Sequence, residues 1–409
     1  MDRDFSRYIS ESVKLDDGPP ARYQLRTKII NLDRLLDEES RLRKFTVGKR
    51  DHKHPNKTVL LVGATGSGKS TLINALVNFV MGVTFEDKVW FEIVTDEKNK
   101  PQVDSQTSAV SIYEVFGFEG KTVPYSLTII DTPGYGDTRG IEYDDIITKK
   151  LQDLFCVPDE VDSIDAVGLV LKSTENRLDE RMAYIFNSVT SLFGRDMEQN
   201  IVALMTYSDG MKPKDGLQAL DEVKVKCARN ENNEPVYFCF NNRQKDQLEE
   251  GSDDQAARFA FQISGNGMKK FTAFLGERPP QSLKTTLEVM KERIRLTACI
   301  QNLEERVRTI ELKQNAVKKN KEELSKYEED MKKNKDFTIH EEEVYREKEK
   351  IKSAGFWADN RATTCNKCKE NCHYPGCTWA WGPSWCEVME KRRCTSCSGK
   401  CPLFLHYIF

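Results

Sequence analysis

Residues 61–76 read LVGATGSGKSTLINAL. Within them, Gly63, Gly68, Lys69 and Ser70 stand at the G-x-x-x-x-G-K-S spacing of a phosphate-binding loop. The flanks agree with the motif. TVLLV before it is an apolar run suited to a buried strand, and STLINALVNFV after it has an apolar helical face. In such a unit, glycines let backbone N–H groups turn onto phosphate oxygens, and the helix N-terminus adds a favourable dipole. Gly63, Ala64, Thr65, Gly66, Ser67 and Gly68, followed by Lys69, Ser70 and Thr71, form the expected phosphate cradle. Lys69 is expected to reach the β- and γ-phosphates, and Ser70 to offer its hydroxyl oxygen to Mg2+.

Outward from this loop, short apolar runs alternate with helix-like stretches from about residue 58 to about 280, the pattern of an α/β domain. TVLLVGA, SAVSIYEV, VPYSLTIIDT, AVGLVLKST, IVALMTYSD and PVYFCFNN are the expected strands. Helices are expected from Ser70 to about Val80, over Tyr143–Phe155, Asp179–Leu192 and Leu217–Lys226, and around Asn266–Leu275. NNRQKDQLEEGSDDQ is expected to be a polar loop.

LTIIDTPGYGDTRG supplies a second anchor. Asp131 at a strand end suits the Mg2+ shell, and the Gly134 N–H suits a γ-phosphate. Between the anchors lies VDSQTSAVSIYEV, where Thr107 is the choice for a switch hydroxyl on Mg2+, with Ser105 and Ser108 as competitors. The base is addressed further on. IVALMTYSD ends in Thr206-Tyr207-Ser208-Asp209, where guanine-reading loops usually carry [N/T]-K-x-D. Asp209 is placed to accept from guanine N1–H and N2–H2. Tyr207 replaces the lysine whose stem normally flanks the base, and an aromatic ring can cover a purine face instead. Asn241 and Asn242 end the next strand, where a base-contacting loop belongs. Simple turn capping is the alternative for Asp209 and Asn241.

GATGSGKSTLINAL, DTPGYGDTRGIE and TYSDG together resemble the septin-like and AIG1-type branch of the P-loop GTPases. More closely, the chain resembles a group of vertebrate G-domain-containing proteins, abundant in fish, with a P-loop, SQTS, VPYSLTIIDTPG, FNN, a charged helical region and a cysteine-rich tail. The resemblance runs from about residue 20 to 401. It implies a three-layer α/β G domain, GTP or GDP as ligand and Mg2+ as cofactor. It also implies the roles above for Lys69, Ser70, Thr107, Asp131, Gly134, Asp209 and Asn241, with Lys69, Thr107, Asp131 and Gly134 serving hydrolysis. In that branch an apolar or aromatic residue commonly follows the switch glycine, as Tyr135 does, and nucleotide-dependent pairing of G domains is common. The expectation is a GTPase that is slow as a monomer and completed by homodimerisation across the nucleotide face. Arg177 is the candidate for positive charge in trans, against the plainer reading of a surface arginine. A non-hydrolysing scaffold or filament-type protein and an ATP-dependent NTPase are the competing functions.

The flanks divide the chain further. Residues 1–55 form a polar extension with one expected helix in TKIINLDRLLDEE, and the G domain is expected over 56–280. GERPPQS then breaks the chain, and 281–353 are Lys/Glu-rich with helical spacing. Leu296, Ile300, Leu303, Val307 and Ile310 continue an a/d seam begun at Leu283. A solvated helix with one apolar stripe and a coiled coil for self-association both fit that pattern.

Residues 354–409 carry eight of the twelve cysteines. Cys365-x2-Cys368-x3-Cys372 recurs as Cys394-x2-Cys397-x3-Cys401, with Cys377, Cys386, His373 and His406 in or beside the two modules. A Cys-x2-Cys pair from each module makes a tetrahedral zinc site, and the remainder a second. Cys365, Cys368, Cys372, Cys377, Cys394, Cys397 and Cys401 are the expected ligands. An iron–sulfur cluster, disulfides and free thiols are the other readings. Trp379, Trp381 and Trp385 are expected to pack the small core around the metal.

Composition narrows the class. At 409 residues the chain is long enough for two or three domains. A formal net charge of −3 and the lack of a basic aromatic stripe argue against a nucleic-acid partner. MDRDFSRYIS has no apolar leader, and no apolar run approaches the roughly 18 residues of a membrane span. LHYIF puts His406 where a prenylated cysteine would stand. A cytoplasmic protein is the expectation.

Overall fold

The computed structural model describes residues 5–31, 42–94, 110–135, several positions between 147 and 157, 160–175, 180–244, 254–333, 361–374 and 382–408. Two compact units result, Met1–Leu287 and Glu288–Phe409.

In the first unit the chain runs through α1 (Ser6–Glu11), β1 (Val13–Asp16), β2 (Ala21–Gln24), β3 (Lys28–Asn31) and β4 (Arg43–Val47). The loop unit follows as β5 (Asn56–Gly63) and α2 (Lys69–Met81). Next come β6 (Val89–Glu92), β7 (Ser111–Val115), β8 (Ser126–Asp131), β9 (Ser163–Ile164) and β10 (Ala166–Lys172). The remainder is α3 (Glu180–Leu192), β11 (Ile201–Thr206), α4 (Lys214–Glu222), β12 (Tyr237–Cys239), α5 (Asp254–Glu277) and β13 (Gln281–Ser282).

The main sheet has the order β12-β11-β10-β5-β8-β7-β4-β3. Strands β12, β11, β10, β5 and β8 are parallel, and β7 is antiparallel to β8. The central strand β5 is buried on both faces, as its unbroken TVLLV requires of a parallel strand between two layers. Val59 and Leu61 join the core under α2 and α5. Leu60 and Val62 are equally buried and face the other side, where α3 packs against β5. The architecture is a three-layer α/β fold.

The N-terminal extension builds on this sheet. Strand β4 pairs in parallel with β7, and β3 pairs antiparallel with β4, so two more strands lie at one edge. Strand β2 pairs with β6, and Phe5 and Leu25 enter the core. Residues 28–31 of TKIINLDRLLDEE are therefore strand, where the sequence suggested helix. Two adjacent β-branched residues, Ile29 and Ile30, suit the backbone of an edge strand, and pairing with β4 outweighs the weak helical spacing. Residues 32–40 lie outside the described residues.

The other expected strands stand where the apolar runs put them. Helix α4 begins at Lys214 and ends at Glu222, earlier than expected at both ends. Helix α5 begins at Asp254, inside the expected polar loop. Gly265 and Gly267 interrupt its apolar pattern and hid its first three turns. Gly267 is there because the helix backs closely onto β12: a Cβ would fall 2.1 Å from the Cys239 carbonyl oxygen. The expected helix at 143–155 falls largely outside the described residues, although Ile147, Lys150, Leu151 and Asp153–Phe155 are helical.

Helix α6 (Leu283–Lys333) is 51 residues long, about 77 Å at about 1.5 Å per residue. In the second unit it is followed by β14 (Thr363–Cys365), β15 (Glu370–His373), β16 (Met389–Glu390), β17 (Arg393–Cys394) and β18 (His406–Ile408). Strands β15-β14-β18 form one antiparallel sheet, and β16 and β17 form a hairpin.

The face of α6 that meets this module is not the apolar seam. Ala298 and Asn302 are buried against it, and Asn302 and Arg306 hydrogen-bond to Ser396. Leu296, Ile300, Leu303, Val307 and Ile310 are exposed. Trp385 is 73% exposed, contrary to its expected place in the module core, which is built from cysteines with Ala298 and Val388. Trp379 and Trp381 lie outside the described residues. Among the described residues, no helix is long and apolar enough to cross a membrane.

Candidate nucleotide site and cysteine centre

The loop between β5 and α2 is shaped for close approach. Gly68 caps α2 with φ +93, the left-handed region that glycine enters without strain. Lys69 is buried at the head of the helix. Its Nζ donates to the carbonyl oxygens of Gly63 (2.6 Å) and Ala64 (3.2 Å). Burial pulls its pKa down to about 8, against the opposing pull of the Asp131 carboxylate. Ser70 and Thr71 follow in the first turn of α2, both half-buried, and Ser67 is buried.

The second anchor packs directly on the first. Strand β8 lies beside β5 with Leu61 opposite Asp131, so parallel pairing carries Asp131 to the base of the loop, fully buried. Thr132 donates its hydroxyl to the Leu61 carbonyl oxygen at 2.9 Å. Gly134 touches the loop so closely that a Cβ would fall 2.4 Å from Thr65 Oγ1. The Thr65 N–H donates to the Tyr135 carbonyl oxygen at 2.9 Å. Tyr135 itself is only 1% exposed, which removes its ring from any water-orienting role in this conformation. Thr107 and Arg177 lie outside the described residues.

The candidate base-reading residues share one end of the sheet. Strands β11 and β12 are parallel neighbours, and the loops after them are joined by the Ser208 N–H, which donates to Phe240 O at 2.9 Å. Asp209 is exposed and holds its loop by accepting the Met211 N–H at 2.8 Å. Asn241 is half-buried, and its N–H donates to Ser264 Oγ of α5 at 2.9 Å.

Tyr207 has φ +52, a conformation that a bulky residue adopts only when its surroundings impose it. Its ring stands over the loop: a Cβ on Gly68 would lie 3.5 Å from Tyr207 Cε2. Lys172, at the end of β10, places its Nζ 5.8 Å from the centroid of that ring. Lys172 carried no motif, so sequence reasoning missed it. Only the neighbouring ends of β10 and β11 reveal it.

The AIG1 family model matches residues 57–264, just over half of the 409-residue chain. The chain belongs to the AIG1 family. The match begins in β5 and ends in α5, so it covers the loop, both anchors and the base-side loops and stops short of α6. Among solved structures, Toc33 from Arabidopsis thaliana in complex with GDP and Mg2+ is similar at 17% identity and a TM-score of 0.36, covering 56% of this chain and 88% of that one. Toc33 with Mg2+ and GMPPNP gives 16% identity, a TM-score of 0.36 and the same coverage. A dimerization-deficient mutant of Toc33 gives 15%, 0.34, and 55% and 86%. No curated protein sequence matches the chain.

Beyond the family match, this AIG1-family chain gathers its cysteines into one centre. Cys365, Cys368, Cys397 and Cys401 place their sulfurs within 4.8 Å of one another, and Cys372, Cys394, Cys397 and His406 form a second such group. His373, Cys386 and Glu387 form a third. The Cys368 and Cys401 sulfurs are 3.5 Å apart, too far for a covalent bond, and the described cysteines are free thiols. Cys394 is held well below the usual thiol range by the hydrogen bond it accepts from Cys372. Burial opposes that shift, and the N–H groups of Cys397 and Ser396 assist it.

The structure thus brings together six of the seven cysteines expected as ligands, and Cys377 lies outside the described residues. His406 was not among them. Its signal was position, five residues beyond the last module cysteine, but only the β14–β18 pairing, which sets Cys365 opposite His406, turns it inward.

Proposed function

We propose that this protein binds guanine nucleotide with Mg2+ and hydrolyses GTP slowly, with nucleotide state controlling its self-association. The observation that carries the reading is Lys69, an amine buried beside Asp131 and bonded to its own loop carbonyls. A buried cation satisfied by two backbone carbonyls is poised for a stronger anionic partner, and a nucleotide's phosphates are that partner. Gly68 turns the chain into the head of α2 with a positive φ, and Gly134 lets the segment after β8 pack directly against Thr65 of the loop, which supports a backbone cradle for those phosphates.

The residues fit Mg2+ as well. The carboxylate of Asp131 and the hydroxyl of Ser70, with Thr107, are hard oxygen donors of the kind Mg2+ takes. When bound, Mg2+ would neutralise charge on the β- and γ-phosphates. Lys69 would hold the same phosphates, and the Gly134 N–H would sense the γ-phosphate. Asp209 would accept the two N–H donors of the guanine edge, while Tyr207 and Lys172 would flank the base.

Phosphoryl transfer depends on positioning and on charge stabilisation. With Tyr135 turned into the core, no side chain at that position orients the attacking water, which supports slow turnover by a lone protomer. Pairing across the nucleotide face would add charge in trans, with Arg177 the candidate donor. The exposed stripe on α6 supports a further contact between copies. The cysteine centre supports structural zinc: its clustered thiolates and buried histidine are zinc's preferred donors, and saturated sites do no catalysis.

Single-turnover hydrolysis, measured across a wide range of protein concentration together with sedimentation in GDP and in a non-hydrolysable GTP analogue, tests the reading. Turnover per protomer should rise with concentration. A flat profile rejects dimer activation, and no hydrolysis at any concentration leaves a nucleotide-binding scaffold.

A further inference from the structure

The two cysteine groups are not independent, because Cys397 belongs to both. Two separate tetrahedral ions need eight donors. The two groups supply seven, which suffices only if one sulfur serves twice. We infer that the cysteine module holds two zinc ions bridged by the Cys397 thiolate. Cys365, Cys368 and Cys401 complete one ion, and Cys372, Cys394 and His406 complete the other. The inference rests on the zinc reading above and deepens it, since it assigns His406 and makes the two ions a single cluster.

His406 carries the strongest part of the argument. It is buried, and its Nδ1 lies 3.0 Å from the Pro402 carbonyl oxygen, so Nδ1 bears the proton and donates. That bond fixes the tautomer and leaves the Nε2 lone pair as an acceptor. Nε2 is buried with no hydrogen-bond partner among the described residues. An unsatisfied buried acceptor is costly, and a metal-bound histidine has this arrangement, with one nitrogen on a backbone carbonyl and the other on the ion.

The sulfurs are prepared in the same way. In each Cys-x2-Cys turn the N–H of the second cysteine points at the first sulfur, Cys368 N to Cys365 Sγ at 3.4 Å and Cys397 N to Cys394 Sγ at 3.3 Å. Ser396 N adds a second donor to Cys394 Sγ at 3.4 Å, and Cys401 N donates to Cys397 Sγ at 3.2 Å. N–H donors aimed at sulfur favour the thiolate over the thiol, and the thiolate is the ligand form.

The bridging loop is also held in place. Glu370 Oε2 accepts the Ser398 N–H at 2.8 Å, and Arg306 of α6 donates to Ser396 O at 2.7 Å. Both anchors lie within one residue of Cys397. Cys386 does not supply an eighth donor, because it stands 3.4 Å from His373 Nδ1 in the third group.

Connectivity between the ions tests this better than total metal content, since the third group can take an ion of its own. The full-length protein is loaded with 113Cd and read by NMR. Two cadmium signals should split each other through the shared sulfur, and X-ray absorption of the zinc form should show a metal–metal distance of about 3.5–4 Å, as in paired-metal sites. Cys397→Ser should lose two ions per chain, while His406→Ala should lose one at most.

Uncoupled cadmium signals, or loss of a single ion from Cys397→Ser, would overturn the bridge and leave zinc binding standing. Purified protein without zinc, unable to take cadmium, would overturn both. The coupling is measured on the wild-type chain, so it decides the matter even where Cys397→Ser does not fold.

Discussion

Thr206 Oγ1 lies 2.6 Å from the carbonyl oxygen of Ser67, tying the end of β11 to the middle of the phosphate-binding loop. The residue that precedes Tyr207 and Asp209 therefore also fixes the cradle. The proposed base and phosphate subsites are one hydrogen bond apart.

Thr206→Val keeps the shape of the side chain and removes that bond. A buried carbonyl loses its partner, at a cost of about 1–3 kcal/mol. Urea denaturation should show that loss, and GTP affinity should fall about tenfold as the two subsites lose registry. Thr206→Ser should recover most of both. Affinity that is untouched while stability falls would mean that the bond serves the fold alone.

Asp209→Asn tests the choice of base. A carboxylate offers two acceptors to the two N–H donors of guanine, whereas an amide offers one acceptor and one donor, which matches xanthine. With charge-assisted bonds contributing about 1.5–3 kcal/mol, GTP affinity should fall about 10- to 100-fold and xanthosine triphosphate binding should rise. Competition among GTP, ATP and xanthosine triphosphate reads this directly. Retention of ATP as firmly as GTP by the wild-type protein would remove the guanine assignment.

Much of the candidate site's arrangement was legible in the sequence because its parts are local. The loop lies within nine consecutive residues, Gly63 to Thr71, and Asp131 and Asp209 each end or follow a short apolar run of the kind a buried strand has. The parts that were not legible depend on pairing between distant segments. Strand β3 is strand because β4 offers an edge, and Lys172 reaches the Tyr207 ring because β10 ends beside it. His406 turns inward because β18 pairs with β14. The apolar seam on α6 was read correctly as a pattern. A solvated stripe and a coiled coil both fitted it, and which face meets the module was not readable, because Ala298, Asn302 and Arg306, polar or small, make that contact.

The pKa of Lys69 gives nucleotide binding a pH dependence. Burial holds the amine at about 8 in the free protein, and bound phosphates would raise it again. Binding therefore takes up a proton wherever the free amine is neutral, so affinity should be flat below about pH 7 and fall progressively as pH rises through 8. At pH 8.5 the uptake should be about three-quarters of a proton. Titration calorimetry in two buffers of different ionisation enthalpy measures it, and the nucleotide's own terminal phosphate, with a pKa of about 6, is out of range. For folding the sign is the reverse of a stabilising lysine. The unfolded chain binds more protons between pH 8 and about 10.5, so this group's contribution to stability rises with pH across that window.

Lys57 and Asp165 form a buried pair at the start of β5. Lys57 Nζ lies 2.9 Å from Asp165 Oδ1, while Asp165 Oδ2 accepts the Thr58 N–H at 2.8 Å. Lys57 also donates to the Arg278 carbonyl oxygen at 3.1 Å, so the pair joins β5, β10 and the segment after α5. Asp165→Ala leaves a buried cation without its counter-charge and should cost about 3–5 kcal/mol. Lys57→Met combined with Asp165→Leu should cost much less. Denaturant midpoints check both, and equal losses in the single and double variants would show that packing rather than charge is at stake.

On α6, Leu303 is 52% and Val307 54% exposed, while Ala298 and Asn302 on the opposite side are buried. The stripe continues from Leu296 to Ile310 at the spacing of an a/d seam, and Glu304, Arg308 and Glu311 border it with charges of both signs. A second copy of the same helix meets both requirements: its own seam covers the apolar residues, and its own mixed charges pair with these. Leu303→Lys combined with Val307→Lys should therefore shift the full-length protein toward monomer in sedimentation, since like charges would face each other across the seam. GTP binding should be unchanged, because neither residue belongs to the nucleotide site. Association that survives the double substitution would assign self-association to the nucleotide face alone, and a fall in nucleotide affinity would show that the helix does more than pair.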